Sequence, residues 1–321
     1  MLGGVIMVRL WAANTDLDWF DYLSAQPEVD EVNFWQPSGH ANFGAIGEGE
    51  LFLFKLKSPR NVIGGFGVLS QSTNMPLSLA WEAFRTKNGA RTLPEMRERI
   101  LQYRPDARNE NDPQIGCRVV VQPVFLPKEL WIPQPESWAR SIVVGKTYDT
   151  DSAEGSHLWD QVMAAAEAAI VTASTGVAEQ QSIYVPPGRR YGDPQLIRPR
   201  LGQGAFRLAV TDAYHRECAI TGGRVLPALD AAHIQSYSSG GEHEVSNGLL
   251  LRRDIHSVFD AGYLTFDEEL RVIVSERVRT EFNNGNEYRR LQGLRLRLPP
   301  NPNFQPDPAR LRWHREHRFV A

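Results

Sequence analysis

Three side chains in the last third of the chain have the types and spacing to do chemistry together. His233, Asn247 and His256 stand with thirteen and eight residues between them. His233 ends the run Leu229-Asp230-Ala231-Ala232-His233, Ser246-Asn247-Gly248 marks a turn, and residues 250–259 read as a short helix. A β-hairpin followed by that helix would gather one imidazole, one amide and a second imidazole around a single phosphate. A neutral imidazole near its ordinary pKa takes a proton from water, so His233 is the expected general base. His256 is the expected ligand for a divalent cation, which offsets charge on a phosphate and its departing 3′-oxygen. An amide donates and accepts but has no basicity, so Asn247 is expected to span the hairpin loop and hold His233 in place. The chemistry this set suits is phosphodiester hydrolysis. Six of the eight histidines lie beyond residue 200, a concentration that a core with incidental histidines would not explain.

The flanking residues carry a resemblance. Arg200, Gly202-Gln203 and Phe206-Arg207 precede Ala213-Tyr214 and Cys218-Ala219-Ile220-Thr221-Gly222. Then come Ala231-Ala232-His233-Ile234, Ser246-Asn247-Gly248-Leu249-Leu250-Leu251 and Phe259-Asp260-Ala261-Gly262. Over residues 195–320 this string resembles the HNH endonuclease family, in the branch found in bacterial restriction proteins. The resemblance implies a ββα-metal fold and a divalent cofactor, Mg²⁺ or Mn²⁺. One position departs from it: many members carry Asp directly before the base histidine, and here that place is Ala232. The nearest upstream carboxylate, Asp230, shares a strand face with Ala232 and is the candidate second ligand, with a bulge as one way of bringing it closer. Without it, the metal would rely on His256, water and the DNA phosphate. Every basic side chain in 201–321 is Arg, whose fork suits phosphate oxygens, and Arg207, Arg252 and Arg253 are the candidate phosphate contacts, the last two expected to open the catalytic helix. His243, beside Gly240-Gly241, reads as a solvated loop residue, and His314 and His317 as structural or exposed.

Cysteine usage and charge narrow the class. Cys117 and Cys218 are the two cysteines, and Cys218 is followed three places on by Thr221, so the Cys-x-x-Cys knuckle of some relatives is absent. No structural zinc and no disulfide are expected, and two buried thiols suit a cytoplasmic location. With 321 residues and 42% hydrophobic content the chain can form two ordinary cores. No apolar run approaches the roughly 20 residues that span a membrane. Residues 1–7 are apolar but too short and uncharged for a signal peptide, and Met7 is an alternative start. A net charge of −3 argues against indiscriminate coating of DNA, so contact must use local patches.

The first half has a different texture. Residues 9–13, 51–57, 62–69 and 119–125 read as strands; 77–84 and 93–103 read as helices, the second with Glu95 and Arg99 one turn apart. Short strands with inserted helices suggest a compact α+β barrel. Trp11, then Phe34-Trp35-Gln36-Pro37, Gly49-Glu50-Leu51-Phe52-Leu53-Phe54 and Ile63-Gly64-Gly65-Phe66-Gly67 resemble a PUA-superfamily domain of the EVE type over residues 8–149. The resemblance implies recognition of a modified or flipped base. Such a base needs stacking faces and a few amides. Trp35, Trp11, Phe34, Asn42, Phe43 and Trp81 are the candidates, with Trp35 in front because a Gln-Pro-Ser-Gly loop follows it. About half of these large rings are expected to be ordinary core, Trp81 among them.

The expected organisation is therefore a base-reading domain at 1–149, a spacer at 150–198 and a nuclease domain at 199–321. The spacer holds an Ala-rich helix at 156–173, a candidate homodimer surface, and an extended Pro/Gly linker at 186–194. The tail beyond a helix at 276–291 is expected to pack back through Leu311, Trp313 and Phe319. Together the two resemblances imply a modification-dependent restriction endonuclease acting on double-stranded DNA that carries 5-methyl- or 5-hydroxymethylcytosine. Two alternatives stay open: a non-specific nuclease toxin, and a catalytically silent reader of RNA or modified DNA.

Overall fold

A computed structural model describes residues 8–39, 43–175, 201–236, 239–282 and 285–321, with side chains through 169 in the helix that ends at 175. The alternative start at Met7, the base-pocket candidate Asn42 and the linker at 186–194 lie outside the described residues. The chain divides into two compact units, Met1–Pro199 and Arg200–Ala321.

In the first unit β1 (Arg9–Thr15), α1 (Leu17–Ser24), β2 (Glu31–Gln36), β3 (Leu51–Leu56) and β4 (Val62–Pro76) are followed by α2 (Leu77–Phe84) and α3 (Leu93–Tyr103). Then come β5 (Gln114–Phe125), β6 (Ile132–Pro133), β7 (Gly145–Asp149) and α4 (Ala153–Thr175). The strands form one sheet in the order β2-β5-β4-β3-β1-β7, with β6 beside the start of β4. Of its described pairs, β1 with β3 is parallel and the others are antiparallel. All six residues of β3 are buried, including Lys55, because this strand lies inside the sheet with both faces covered. The mixed α+β character agrees with the sequence; the barrel does not. Among the described residues the edge strands β2 and β7 do not pair, so the sheet stays open. Its apolar faces are covered by helices, with α1 on β3, α2 on β2, β4 and β5, and α4 on β1, rather than by closure. The helices begin where local signals place them: Thr92 accepts the Glu95 N–H at the start of α3, and Glu95 then meets Arg99 at 2.7 Å one turn on.

The second unit runs α5 (Gln203–Ala213), β8 (Leu229–His233), β9 (Gly248–Arg252), α6 (Arg253–Asp260), β10 (Leu264–Phe266), β11 (Val272–Val274), α7 (Arg277–Glu281), α8 (Asn286–Arg289) and α9 (Pro308–His317). β8 and β9 form a hairpin held between α5 and α6, and β10 and β11 form a second one. The helix expected at 250–259 starts later, at Arg253. Leu249, Leu250 and Leu251 are buried in β9, where helices on both sides of the hairpin make a continuous apolar run compatible with a strand. The helix expected at 276–291 is two short ones, α7 and α8. The tail contains a helix that its prolines hid: Asp307 caps α9 by accepting the Ala309 N–H at 2.8 Å, and Pro308 takes the first helical position, where a missing N–H costs nothing. Leu311 and His314 are buried, while Trp313 and Phe319 are half-buried. The His314 ring lies flat on Phe259 at 3.9 Å and its Nδ1 meets Thr265 Oγ1 at 3.0 Å, so His314 is a core residue. His317 is exposed and stacks on Trp313.

Candidate active site

The β8–β9 hairpin pairs without interruption from Leu229↔Arg252 to His233↔Gly248, so His233 stands at the end of its strand and Asn247 immediately before the next. The loop between them is tied by Asn247, whose side chain is fully buried. Its Oδ1 accepts the Gln235 N–H at 2.9 Å, and its Nδ2 donates to the carbonyls of Gln235 and Glu242, both at 2.9 Å. Gly241 belongs to the same tie, since a Cβ there would lie 1.9 Å from the Gln235 oxygen. Asn247 thus makes the loop-spanning bonds that an amide at this position can make.

His233 is fixed on two sides. Its ring stacks on Phe206 of α5 at 3.9 Å with 13° between planes, and its Nε2 lies 2.9 Å from His243 Nδ1. Burial, aided by the neighbouring His243 and His256, pushes the His233 pKa down to about 4. The ring is therefore neutral near pH 7, in the form that accepts a proton. His243 is not the solvated loop residue that its Gly-rich setting suggested. It is half-buried, and its ring centroid lies 4.9 Å from that of His233 and 5.7 Å from that of Phe206. The loop turns it inward, which no spacing rule on a loop of this length reveals.

One turn into α6, His256 stands between two carboxylates. Its Nδ1 is 3.3 Å from Asp230 and its Nε2 is 3.1 Å from Asp260, four residues on in the same helix. Burial alone would lower its pKa; the hydrogen bonds and charges of Asp230 and Asp260 outweigh it and raise the value to about 9. Asp230 in turn is held below the usual carboxylate range, because His256 and Arg207 outweigh the cost of its burial. It reaches His256 without a bulge in β8. Asp260 went unassigned in the sequence, although the i,i+4 spacing from His256 was a usable signal.

An imidazole with two carboxylates is a donor set that suits a hard divalent cation. Ligation needs the His256 ring neutral, so metal would replace the proton those carboxylates now favour. Among the described residues no three His, Cys, Asp or Glu side chains already form a metal cage. His256 with Asp230 or Asp260 is thus a partial set, to be completed by water or phosphate oxygen. Of the candidate phosphate contacts, Arg207 Nε lies 3.3 Å from Asp230, Arg252 ends β9 and forks onto Asp254, with Nε at 3.0 Å from Oδ1, and Arg253 opens α6 with an exposed side chain. Only Arg253 of the expected pair begins the helix.

In the first unit the structure separates the base-pocket candidates. Trp11 is 3% exposed and meets Phe34, Phe43 and Phe52 edge-on, with centroids 4.7–6.3 Å apart. Trp35 follows Phe34 in β2 and so faces the other side of the sheet, where its half-buried ring donates Nε1–H to the Asn88 carbonyl at 2.9 Å. Trp81 is half-buried in α2. Arg118, which no motif in the sequence marks, is a single cation in the buried run of β5. Its guanidinium lies 4.7 Å from the Phe43 ring centroid and donates to Gln36 Oε1 at 2.9 Å, while its Nε has no hydrogen-bond partner among the described residues. Burial pulls its pKa down to about 10.

Comparison with known proteins identifies the stretch of chain that holds these residues. Residues 218–267, which hold His233, Asn247 and His256, match the family described as HNH endonuclease. The protein thus carries an HNH endonuclease domain and is a nuclease, and such nucleases generally depend on a divalent metal. No curated protein matches the sequence. Among solved structures, the "Modification dependent TagI restriction endonuclease" is similar at 13% identity and a TM-score of 0.30, over 95% of this chain and 81% of that one. The "Type IV phosphorothioation-dependent restriction endonuclease ScoMcrA" is similar at 13% identity and a TM-score of 0.20, over 83% of this chain and 49% of that one. Among the described residues no helix is long and apolar enough to cross a membrane.

Proposed function

We propose that this nuclease is a modification-dependent restriction endonuclease: the first unit reads a modified cytosine in double-stranded DNA, and the HNH domain hydrolyses phosphodiester bonds nearby. The observation that carries the cleavage half is the convergence on one hairpin and its following helix of a neutral imidazole, His233, and a carboxylate-flanked imidazole, His256. His233 takes a proton from water as the water oxygen bonds to phosphorus and the bond to the 3′-oxygen breaks. Asn247 keeps the loop closed so that His233 stays aimed. His256, with Asp230 or Asp260, would hold the divalent cation, Mg²⁺ or Mn²⁺, which supplies positive charge to the phosphate and the departing oxygen. Exposed Arg253 is placed to meet a phosphate from the start of α6, and Arg207 and Arg252 to do so on release from their carboxylates.

The reading half is supported by the PUA-like order of residues in the first unit and by half-buried rings with polar neighbours: Trp35, held by the Asn88 carbonyl, and, on the other side of the sheet, Phe43 under the Arg118 guanidinium, which also donates to Gln36. An extruded base is recognised by that combination of stacking and a few hydrogen bonds. The test is digestion of matched DNAs carrying cytosine, 5-methylcytosine, 5-hydroxymethylcytosine or glucosylated cytosine, with Mg²⁺ or Mn²⁺. Cleavage confined to one or more modified substrates is the expected result. Equal cleavage of plain DNA would remove the reader, and tight binding without metal-dependent cleavage would remove the restriction activity.

A further inference from the structure

We infer that His243 is a positioning residue for the base: its Nδ1 accepts the Nε2–H of His233 and so holds His233 in the tautomer whose Nδ1 lone pair can take a proton from water. The inference rests on the reading of His233 as the base. The contact is short, 2.9 Å between His233 Nε2 and His243 Nδ1. One shared proton can lie between these two ring nitrogens in only two ways. If His243 donates, the lone pair of His233 Nε2 is consumed and its proton sits on Nδ1, which leaves no nitrogen to accept a proton. If His233 donates, its Nδ1 is bare and the ring is a competent base. Only the second arrangement is compatible with the reaction.

The surroundings favour it. Among the described residues His233 Nδ1 has no hydrogen-bond partner, so the His243 contact is the bond that fixes the tautomer among them. The ring plane is set by stacking on Phe206, which leaves rotation within that plane to be stopped by the His243 bond. His243 is itself placed by the loop that Asn247 closes, since the Asn247 amide donates to the carbonyl of Glu242, the residue before it. The chain thus runs Asn247 to Glu242 backbone, to His243, to His233. When His233 gains a proton on Nδ1, its Nε2–H faces an acceptor, which steadies the imidazolium as it forms.

The test uses the full chain with ¹⁵N-labelled histidine, with signals assigned by comparison with His233→Ala and His243→Ala, alongside single-turnover cleavage and DNA affinity. In the wild type, His233 should carry its proton on Nε2 with Nδ1 bare. His243→Ala should mix the tautomers and slow cleavage by about 10–100-fold, the usual effect of losing a partner behind a working imidazole, with DNA affinity unchanged. His243→Asn places an amide oxygen near the lost Nδ1, so it should restore the tautomer and most of the rate. A wild-type His233 protonated on Nδ1 would overturn the inference. So would a His243→Ala enzyme that cuts at the wild-type rate, or a loss of rate that tracks melting and that Asn does not repair. Unchanged cleavage by His233→Ala is a separate outcome: it removes the base reading itself and with it the catalytic meaning of the contact.

Discussion

The two units use polar and aromatic side chains in opposite ways. In the second, His233, Asn247, His256, Asp230 and Asp260 are bonded to one another or to the loop they shape, and each bond orients a group. In the first, the rings of Trp11, Phe34 and Phe52 pack against one another and fill space. Hydrolysis needs particular functional groups at fixed spacing, and those groups are costly to bury without partners. Stacking on a base needs only a flat apolar face, which any core supplies as well. A hydrolytic site therefore announces itself through types of residue that a core avoids, while a reading site hides among types that a core prefers.

The sharpest way to break the contrast is at His233. Replacement by Ala should reduce single-turnover cleavage by roughly 10²–10⁴-fold, the usual contribution of a positioned base, while binding of modified DNA stays near wild type. A variant that still cuts at the wild-type rate removes His233 from the mechanism. His256→Ala should also fail, and partial recovery at raised Mg²⁺ or Mn²⁺ would mark it as a ligand.

The same asymmetry decides how much is legible in the sequence. His233, Asn247 and His256 are readable because a hairpin and one helix suffice to gather them, and the hairpin is local in sequence. Asp260 is readable in principle, one helical turn from His256. His243 is not, because its inward turn depends on Asn247 holding Glu242 and on Gly241 packing against Gln235. In the first unit the starts of α2 and α3 follow from Pro76 and Thr92, whereas the expected barrel is not formed: helices cover the sheet where closure was expected to. That Trp35 and Phe34 face opposite ways follows from strand alternation once β2 is known, and that boundary was the missing piece.

Trp11→Ala probes the other side of the comparison. A ring 3% exposed among three others should cost about 3–5 kcal/mol on truncation, visible as an earlier melting transition of the first unit. A small loss of stability with a collapsed preference for modified DNA would instead make Trp11 a reading face and blur the contrast between the units.

Buried histidines give the second unit a pH signature. The His314 pKa is pushed down to about 4, chiefly by burial, with nearby Arg318 adding to it. In the unfolded chain it returns to its ordinary value near 6.5. Between those values the unfolded state holds a proton that the folded state does not, so stability falls as pH drops from about 6.5 to about 4, by roughly 3 kcal/mol for this residue. His233 adds a similar slope, while His256, raised, is protonated in both states across this window and adds none. Urea midpoints for wild type and His314→Gln across that range should diverge by the His314 share. Parallel curves would mean that His314 charges freely in the fold.

The smallest expected effect is the most discriminating. Trp35 presents a half-buried ring on the face of β2 opposite Trp11, and its anchoring bond runs to the Asn88 carbonyl. If a base stacks there, Trp35→Ala should lower the modified-to-plain binding ratio by the worth of one aromatic face, about 1–3 kcal/mol, and should shift melting less than Trp11→Ala does. Trp35→Phe keeps the face and loses the bond, so it should preserve the ratio at a small cost in stability. Both quantities come from one preparation, by thermal melting and by competition binding with matched modified and plain duplexes. A large loss of stability with an unchanged ratio would make Trp35 a packing residue. The reading face would then be sought on the opposite side of the sheet, around Trp11, Phe43 and the Arg118 guanidinium.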